Sequence, residues 1–499
     1  MACSSTISTP RSSFFPRGVQ VSVPLTYNRA PMDETRTVTQ THERRAAPAP
    51  GQPYLFLAFQ CDRPLEKGAR FSLAGVDRVT LGRGAALNGE RVQDAGASVL
   101  KITVPDARMS GTHARLHKVL GRWALEDAGS KNGTFVDGQR TATSPLADDA
   151  LLELGHSFFV FRESLPRADP AFLDGRELQP IARGMVTLSP GFAVGLQRVA
   201  TFARSRVPVL VRGESGTGKE LIASAIHELS GRTGPFIPVN CGAIAPNLVE
   251  SELFGYKKGA FSGAAEDRPG LVRSSEHGTL LLDEIGDLPL PAQATLLRVL
   301  QEHEVLPVGA TRPVKVDLRV VAATHRDLAA LADEEKFRSD LLARLDGATV
   351  VLPPLRERRE DFGLIASTLI EKIAGELARD VAFSADAARM LLLHDWPLNV
   401  RELEKCLASA LLLARGGRVE QEHVKDSVHC APRAAAARKP HSSGEPLTEK
   451  DRRLREDLVQ LLRQNGGNVT AVARAMGKAR TQVQRWLRRF EIDPGSFAP

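Results

Sequence analysis

A glycine-rich loop between a strand and a helix constrains this chain more than any other feature of its sequence. An apolar run at 209–211 leads into the loop, and a helical pattern begins near 220. Small residues let backbone N–H groups turn toward a phosphate, and the helix N-terminus adds positive potential. The alternative is a glycine-rich turn without a ligand, which the strand and helix context disfavours. The residues expected to bind nucleotide phosphates are Gly213, Glu214, Ser215, Gly216, Thr217, Gly218, Lys219 and Glu220.

Two carboxylates at the end of an apolar strand supply the chemistry that the loop lacks. Glu220 stands where many phosphate loops carry a Ser or Thr ligand for Mg²⁺, so other groups must hold the metal. The apolar run 279–282 is followed by Asp283 and Glu284. Asp283 would hold Mg²⁺, directly or through water, and Glu284 would orient or deprotonate the attacking water. A solvated surface pair would not follow four strand residues of this kind.

The composition is that of a multidomain globular protein. A length of 499 residues predicts about three domains, and 42% hydrophobic and 25% charged residues are ordinary values. No run of about 18 apolar residues occurs, so we expect no membrane association. Five scattered cysteines without a C-x-x-C pair argue against a disulfide framework or a structural zinc site. Because the N-terminus lacks an apolar signal-peptide core, we expect a cytoplasmic location.

Changes of pattern divide the chain into segments. A small all-β sandwich is predicted by short β-type runs at 54–59, 78–81, 99–104, 123–126 and 158–161. From 207 to 428, β-runs alternate with helical stretches such as 220–229 and 293–301, which predicts an α/β domain with a parallel sheet. The predicted segments are a disordered tail (1–52, with Met32 as an alternative start), the sandwich (53–165), a linker (166–185), the α/β domain (186–429), a second linker (430–448) and a helical module (449–495).

Seven motifs occur in order through the α/β domain. They are GESGTGKE (213–220), ESELFG (250–255), GAFSGA (259–264), LLLDEIGDL (280–288), FRSDLLARL (337–345), LPPLRERRED (352–361) and WPLNVRELE (396–404). Together they resemble the AAA+ domain of sigma-54-dependent transcriptional activators. The resemblance implies a P-loop ATPase with a helical lid at about 358–429, which uses ATP and Mg²⁺ and works as a homo-oligomeric ring, expected to be a hexamer.

The resemblance also implies roles for single residues. Arg338 and Arg344 match the arginine fingers, which reach the γ-phosphate bound by a neighbouring subunit. Thr324 matches the end of the sensor I strand, and Arg401 matches sensor II. Asn240 matches the switch residue that restrains the catalytic glutamate.

The GAFSGA motif is the most discriminating element, since other AAA+ branches lack it. In the family this loop contacts the sigma factor during remodelling. The matching residues are Gly259, Ala260, Phe261, Ser262, Gly263 and Ala264. Phe261 would form an exposed apolar tip, which is costly on a surface without a partner.

Three positions depart from the family pattern. Ser262 stands where Thr is usual, His325 where Asn usually follows the sensor Thr, and Leu398 where Gly usually precedes Asn-Val-Arg. We expect coupling to sigma-54 to be retained, and nucleotide sensing to be changed more than hydrolysis.

Three motifs in the predicted sandwich, at 81–84, 110–113 and 127–134, resemble the forkhead-associated (FHA) domain. Such domains bind phosphothreonine peptides. The matching groups are Arg83, Ser110, Lys131 and Asn132, which offer a guanidinium, a hydroxyl, a second cation and an amide to the peptide. His113 is expected to be a scaffold residue, and Gly111 departs from the frequent Arg. The alternative is a degenerate FHA fold that serves only as an assembly surface.

The helical module contains three short amphipathic helices, which are separated by the turns Gly466-Gly467-Asn468 and Gly477-Lys478. It resembles the Fis-type helix-turn-helix of these activators. Its last helix would enter the major groove. The polar residues expected to contact DNA are Arg480, Thr481, Gln482, Gln484, Arg485, Arg488 and Arg489. The formal net charge of +7 is concentrated here, since residues 432–499 hold 14 Lys and Arg against seven Asp and Glu.

These features predict a transcription activator that binds upstream DNA and uses ATP hydrolysis to remodel sigma-54 RNA polymerase holoenzyme. Its expected input is a phosphothreonine, made by a Ser/Thr kinase on a partner protein or on this chain. Two alternatives stay open: an AAA+ protein-remodelling ATPase outside transcription, and a DNA-binding repressor with a vestigial ATPase. The GAFSGA loop argues against the first, and the intact acidic pair and arginine fingers argue against the second.

Overall fold

The computed structural model describes residues 51–205, 207–428 and 449–477, together with 482, 483, 486, 487, 490 and 492. The predicted disordered tail lies outside the described residues except at 51 and 52, and the predicted linker 430–448 lies wholly outside them. In the described part, no helix combines the length and the apolar character needed to cross a membrane.

The N-terminal domain is a sandwich of two β-sheets, as predicted. The seven-stranded sheet has the order β13-β2-β1-β12-β11-β8-β9, and the six-stranded sheet has the order β10-β7-β6-β3-β5-β4. The strands are β1 Gln52–Gln60, β2 Ala69–Ser72, β3 Arg78–Arg83, β4 Asn88–Asp94, β5 Ala97–Val104, β6 Ala114–Val119, β7 Arg122–Asp127, β8 Thr134–Val136, β9 Gln139–Thr141, β10 Thr143–Pro145, β11 Ala150–Leu154, β12 Ser157–Leu165 and β13 Phe172–Asp174.

The start of the expected linker 166–185 belongs to the sandwich. Strand β13 pairs antiparallel with β2, and Phe172 stacks on Phe71 with ring centroids 5.1 Å apart. A three-residue strand is too short to show alternation, so its pairing depends on this tertiary contact. Residues 172–174 of the expected linker are therefore part of this sheet.

The central domain is a five-stranded parallel sheet with helices on both faces. The sheet order is β15-β16-β19-β14-β20, and two apolar clusters cover its faces. The elements are α1 Pro190–Ala203, β14 Val209–Arg212, α2 Lys219–Ser230, β15 Phe236–Asn240, α3 Val249–Phe254, α4 Gly270–Ser274, β16 Thr279–Asp283, α5 Leu290–Glu302, β17 Glu304–Val305, β18 Val314–Lys315, β19 Arg319–Thr324, α6 Leu328–Asp333, α7 Ser339–Leu345 and β20 Ala348–Val351. The predicted parallel α/β fold is confirmed.

A helical lid and a C-terminal helical module follow. The lid comprises α8 Phe362–Ala374, β21 Ala382–Phe383, α9 Ala385–Leu393, α10 Asn399–Ala414, β22 Arg418–Val419 and α11 Gln421–Lys425. The module contains α12 Glu449–Gln464 and α13 Val469–Ala475. Asn468 begins α13 by accepting hydrogen bonds from the N–H groups of Thr470 and Ala471. Val483 and Leu487 pack against both helices in one apolar cluster.

Strand β1 is buried on both faces. Leu55 and Leu57 point into the sandwich core, whereas Ala58 and Phe59 share a second core with the lid. The ring of Phe59 meets Phe362 and Phe383 edge-on, with centroids 5.6 and 5.3 Å away. Because both faces lose water, the outer face of the seven-stranded sheet and the lid form one continuous core.

Gly363 allows α8 to approach β1 closely, since a Cβ there would stand 2.5 Å from the carbonyl oxygen of Ala58. We expect Gly363→Ala to lower the free energy of unfolding by about 1–3 kcal/mol, because backbone must move to admit the methyl group. The matched control is Gly195→Ala in α1, where a Cβ meets nothing within 4 Å. It should stabilise slightly. Thermal unfolding of both variants checks this, and equal midpoints would contradict the close packing.

Candidate functional site

The glycine-rich loop connects β14 to α2. Gly216 and Gly218 have φ values of 79° and 101°, a region that residues with a Cβ rarely adopt. A Cβ at Gly216 would also stand 2.0 Å from the carbonyl oxygen of Leu398. Gly218 is the N-cap of α2, so the loop ends at a helix N-terminus with free N–H groups. This cradle suits a phosphate.

Side chains from the lid side brace the loop. Arg356 donates two hydrogen bonds to the Glu214 carboxylate, at 2.8 and 2.5 Å, and these hold the pKa of Glu214 below its ordinary value. Asn399 donates to Glu214 at 3.2 Å and to the Ser215 carbonyl at 3.0 Å. Within the loop, the Thr217 hydroxyl donates to the Glu214 carbonyl at 2.8 Å. The loop is therefore pre-shaped by contacts that we had not predicted from the sequence.

Lys219 and Glu284 meet beside the loop. The Lys219 side chain is buried, and its Nζ donates to the Gly213 carbonyl at 3.2 Å and to Glu284 Oε1 at 3.3 Å. His325 Nδ1 lies 2.7 Å from Glu284 Oε2. Burial raises the pKa of Glu284, but the hydrogen bond with His325 and the charge of Lys219 lower it by more, so the pKa lies below its ordinary value. Glu284 is thus an anion at neutral pH.

Asp283 ends β16 next to Asn240, which is its register partner at the end of β15. The Asp283 carboxylate accepts a hydrogen bond from the N–H of Glu284 at 3.0 Å. The side-chain oxygen of Asn240, the predicted switch residue, accepts from the N–H of Gly242 at 3.0 Å. A contact to Glu284 was expected of Asn240, and in the structure His325 makes such a contact. In the sequence, His325 is noted only as a departure from the family pattern.

The sensor and finger residues fall into two groups. Thr324 is buried at the end of β19, and Arg401 Nη1 lies 3.5 Å from Ser215 Oγ, so these two lie at or near the loop. Arg338 is exposed and pairs with Asp340 at 2.7 Å, and Arg344 donates to the Leu300 carbonyl at 3.1 Å. Among the described hydrogen bonds, none of those made by the two finger arginines reaches the loop of the same chain.

The segment 259–264 is a compact turn with an apolar tip. The N–H of Gly259 donates to the Ala264 carbonyl at 2.9 Å, and Gly259 and Gly263 have φ values of 80° and 105°. Phe261 is 42% exposed, and its ring centroid lies 4.9 Å from that of Tyr256. Ser262 is exposed beside it. The turn thus presents an aromatic side chain to solvent.

The predicted phosphothreonine residues gather at one end of the sandwich. Arg83 is exposed at the end of β3, and its N–H donates to the Ser110 carbonyl. The Ser110 hydroxyl accepts from the N–H of Lys131 at 3.2 Å, and Asn132 donates to the Arg108 carbonyl at 2.6 Å. His113 is fully buried and accepts from the N–H of Ser110, as a scaffold residue would. No atom lies within 4 Å of a Cβ built on Gly111, so this position is open.

Of the residues predicted to contact DNA, Gln482 is described and lies in a helical segment. The remainder of that set lies outside the described residues: Arg480, Thr481, Gln484, Arg485, Arg488 and Arg489.

The sequence matches four known domain families. Residues 185–351 match the sigma-54 interaction domain, 356–441 the AAA+ ATPase lid domain, 79–155 the FHA domain and 447–494 a homeodomain-like domain. The class is therefore an AAA+ ATPase that carries an FHA domain and a helix-turn-helix domain.

Curated relatives define the family. Regulatory protein AtoC of Escherichia coli (strain K12) is 42% identical over 314 residues, which is 62% of this chain and 68% of AtoC. Transcriptional regulatory protein GlrR of the same strain is 38% identical, with 71% and 76% coverage. The solved structure of NtrX from Brucella abortus in complex with ADP is 31% identical, covers 62% of this chain and 69% of NtrX, and has a TM-score of 0.45. The chain belongs to the family of sigma-54-dependent transcriptional activators.

Asp127 organises the loop that carries Lys131 and Asn132. Its carboxylate accepts hydrogen bonds from the N–H of Gly129, the N–H and hydroxyl of Ser130, and the hydroxyl of Thr134. Burial alone would raise the pKa of Asp127, but these four bonds lower it from 3.8 to about 2.

We expect Asp127→Asn to lower the free energy of unfolding by about 1–3 kcal/mol, because the two N–H groups lose a charged acceptor and an NH2 group replaces the oxygen that accepts from both hydroxyls. The ordinary and folded pKa values of Asp127 both lie below about 5, so the advantage of the wild type should stay constant from about pH 8 to about pH 5. It should be lost progressively as the pH falls from the ordinary pKa of 3.8 through the folded pKa of about 2. Thermal unfolding at both ends of the range checks this. Equal stability of the two proteins at neutral pH would contradict the assigned bonds.

Proposed function

We propose that this activator binds upstream DNA, hydrolyses ATP in a homo-oligomeric ring and drives the Phe261 loop against sigma-54 RNA polymerase holoenzyme. Phosphothreonine recognition by the FHA domain controls the cycle. The observation that carries the proposal is the pairing of a formed phosphate cradle, which contains Lys219 and Glu284, with an exposed aromatic tip on a compact turn. The proposed partners, RNA polymerase and DNA, are in the cytoplasm, so we expect the protein to work in the cytoplasm.

The residues around the cradle fit ATP and Mg²⁺. The loop N–H groups, Lys219 and Arg401 supply positive charge for phosphates, and the Asp283 carboxylate is a hard oxygen ligand of the kind that Mg²⁺ prefers. Mg²⁺ usually keeps several waters and is bound through one or two carboxylates and substrate phosphates. When bound, Mg²⁺ neutralises charge on the phosphates. Asp283 would hold it.

Glu284 orients or deprotonates the attacking water in this proposal. Its carboxylate is anionic and is held by Lys219 and His325, so it is fixed before a substrate arrives. Release of the His325 contact frees one carboxylate oxygen for water. Arg338 and Arg344 act on the nucleotide of the neighbouring subunit, which makes hydrolysis depend on ring assembly.

The Phe261 loop is the proposed contact to sigma-54. We expect Phe261→Ala to retain ATP hydrolysis and to lose open-complex formation, because the apolar tip is removed while the cradle is untouched. A matched control is Leu377→Ala, which removes another exposed apolar side chain, 59% accessible, from the lid. Steady-state ATPase and promoter-opening assays measure the two outputs separately.

Each alternative predicts a different result. Promoter opening that survives Phe261→Ala would contradict the role of the loop. A wild-type protein without ATPase activity would favour a repressor with a vestigial ATPase. Loss of opening in Leu377→Ala as well would show that the effect is not specific to the loop.

The FHA site is proposed to bind phosphothreonine, on a partner protein or on this chain's own Thr-rich tail. Arg83 is exposed, and its backbone N–H donates to the Ser110 carbonyl, so the two residues lie at the same end of the sandwich. A guanidinium and a hydroxyl are groups that can bind a phosphate. We expect Arg83→Ala to weaken binding of a phosphothreonine peptide library at least about tenfold, since hydrogen bonds to charged groups contribute about 1.5–3 kcal/mol. Fluorescence titration against the same library with threonine measures the preference.

Arg122→Ala is the control for that experiment. Arg122 is an exposed arginine of the same domain at the start of β7, and the β6–β7 hairpin places it at the opposite end of β6 from Ser110. It should bind like the wild type. No preference of the wild type for phosphothreonine would contradict the proposal and would favour an FHA fold used only for assembly.

The C-terminal module is proposed to bind DNA with its last helix in the major groove. The module sits at the basic end of the chain, where residues 432–499 carry the whole net charge of +7. Positive charge attracts the phosphate backbone, and amides such as that of Gln482 can read base edges.

A further inference from the structure

A short segment between the central domain and the lid touches both the phosphate loop and the FHA domain. It is the coupling segment, residues 355–361, which folds as two 3-10 turns, Leu355–Glu357 and Arg359–Asp361. Arg358, Arg359, Glu360 and Asp361 are all buried. Buried charged groups need partners, so the contacts of this segment define what it does.

Two arginines of the coupling segment hold the phosphate loop. Arg356 makes the bidentate pair with Glu214 already described, and Arg358 donates to the Thr217 carbonyl at 3.2 Å. Thr217 directly precedes Gly218, the N-cap of α2. The coupling segment therefore fixes both ends of the curve that forms the cradle.

The next residues of the segment hold the FHA domain. Arg359 donates to both the carboxylate and the carbonyl of Asp149, which lies just before β11. Arg162 of β12 pairs with Asp149 at 3.1 Å and with Glu360 at 3.6 Å, and it donates to the Glu357 carbonyl at 2.8 Å. The side chains of Asp149 and Glu360 have no exposed area. This is a buried ionic cluster shared by two domains.

We propose that Asp149 and Arg162 of the FHA domain are positioning residues for ATP binding, which act through the coupling segment on the phosphate loop. Removal of one partner from a buried ion pair leaves a charge uncompensated, and the chain moves to relieve it. Arg359 is one residue from Arg358, so a shift at Arg359 displaces the donor to Thr217. Asp283 and Glu284 are not among the residues that connect Asp149 and Arg162 to the phosphate loop.

The Asp149→Asn variant tests the proposal in the full-length protein. Asp149 has a φ of 67°, a conformation that Asn tolerates, so the substitution removes charge and keeps the turn. We expect the KM for ATP to rise at least about fivefold, the lower end of usual coupling between sites, with kcat retained. A purely structural loss would reduce the active fraction, and hence kcat, without a change in KM.

Glu153→Gln is the matched control. Glu153 of β11 is also buried and accepts a bidentate pair from Arg389 of the lid helix α9, at 2.6 and 2.7 Å. Arg389 also pairs with Asp386, and none of its described hydrogen bonds reaches the phosphate loop. The control therefore removes one negative charge from the same interface between the FHA domain and the lid, but at a contact that does not involve the coupling segment. Its KM for ATP should equal that of the wild type.

Several outcomes would overturn the proposal: an unchanged KM in Asp149→Asn, an equal rise in Glu153→Gln, or a fall in kcat alone. Binding of a fluorescent ATP analogue gives the same comparison without hydrolysis, so a failure of the ATPase assignment is distinguished from a failure of the coupling. If circular dichroism shows that Asp149→Asn does not fold, Arg162→Lys replaces it. That variant keeps the cation but loses the planar guanidinium, and the same rise in apparent Kd is expected.

Discussion

The structure depends on the packing of one sheet face against the helical lid. Tyr54, Phe56, Ala58 and Phe59 on β1 pack outward on apolar side chains of the lid and of the segment before α1. The other face of the same strand closes the sandwich. Burial of apolar surface on both faces is the dominant favourable term here. The FHA domain and the ATPase lid are therefore joined by a shared core and not by a tether.

This packing places the FHA domain against the residues that brace the phosphate loop from the lid side. The phosphate loop is braced by Arg356, Arg358 and Asn399, all of which lie in the lid or in the segment leading to it. That segment is in turn held by Asp149 and Arg162. A chain of buried charges thus runs from the sandwich to the cradle. In such a chain, movement at one end is felt at the other, because buried pairs have few alternative arrangements.

The local parts of the site could be predicted from the sequence, whereas the contacts between domains could not. The phosphate loop and the acidic pair follow from local sequence chemistry: glycines with positive φ, and a strand that ends in acids. The 259–264 turn was identified by its resemblance to the family motif. The docking of β1 on the lid needs residues more than 300 positions apart, such as Phe59 and Phe383. One signal was available: the run YLFLAF lacks the alternation of a strand with a solvated face, which indicates burial on both faces. The contact of His325 with Glu284 depends on how the Glu284 side chain is oriented. The spacing of residues in the sequence does not predict that orientation.

Thiol accessibility tests the shared core most directly. Cys61 lies between the FHA domain and the lid with no exposed area, and Cys406 lies inside the lid. Burial raises the pKa of both thiols, so each reacts only when its surroundings open. The measurement is the rate at which a thiol reagent labels each cysteine of the native full-length protein, read by mass spectrometry of the peptides. We expect Cys61 to be labelled as slowly as Cys406. Rapid labelling of Cys61 while Cys406 stays protected would show that the FHA domain detaches from the lid, and would contradict a shared core.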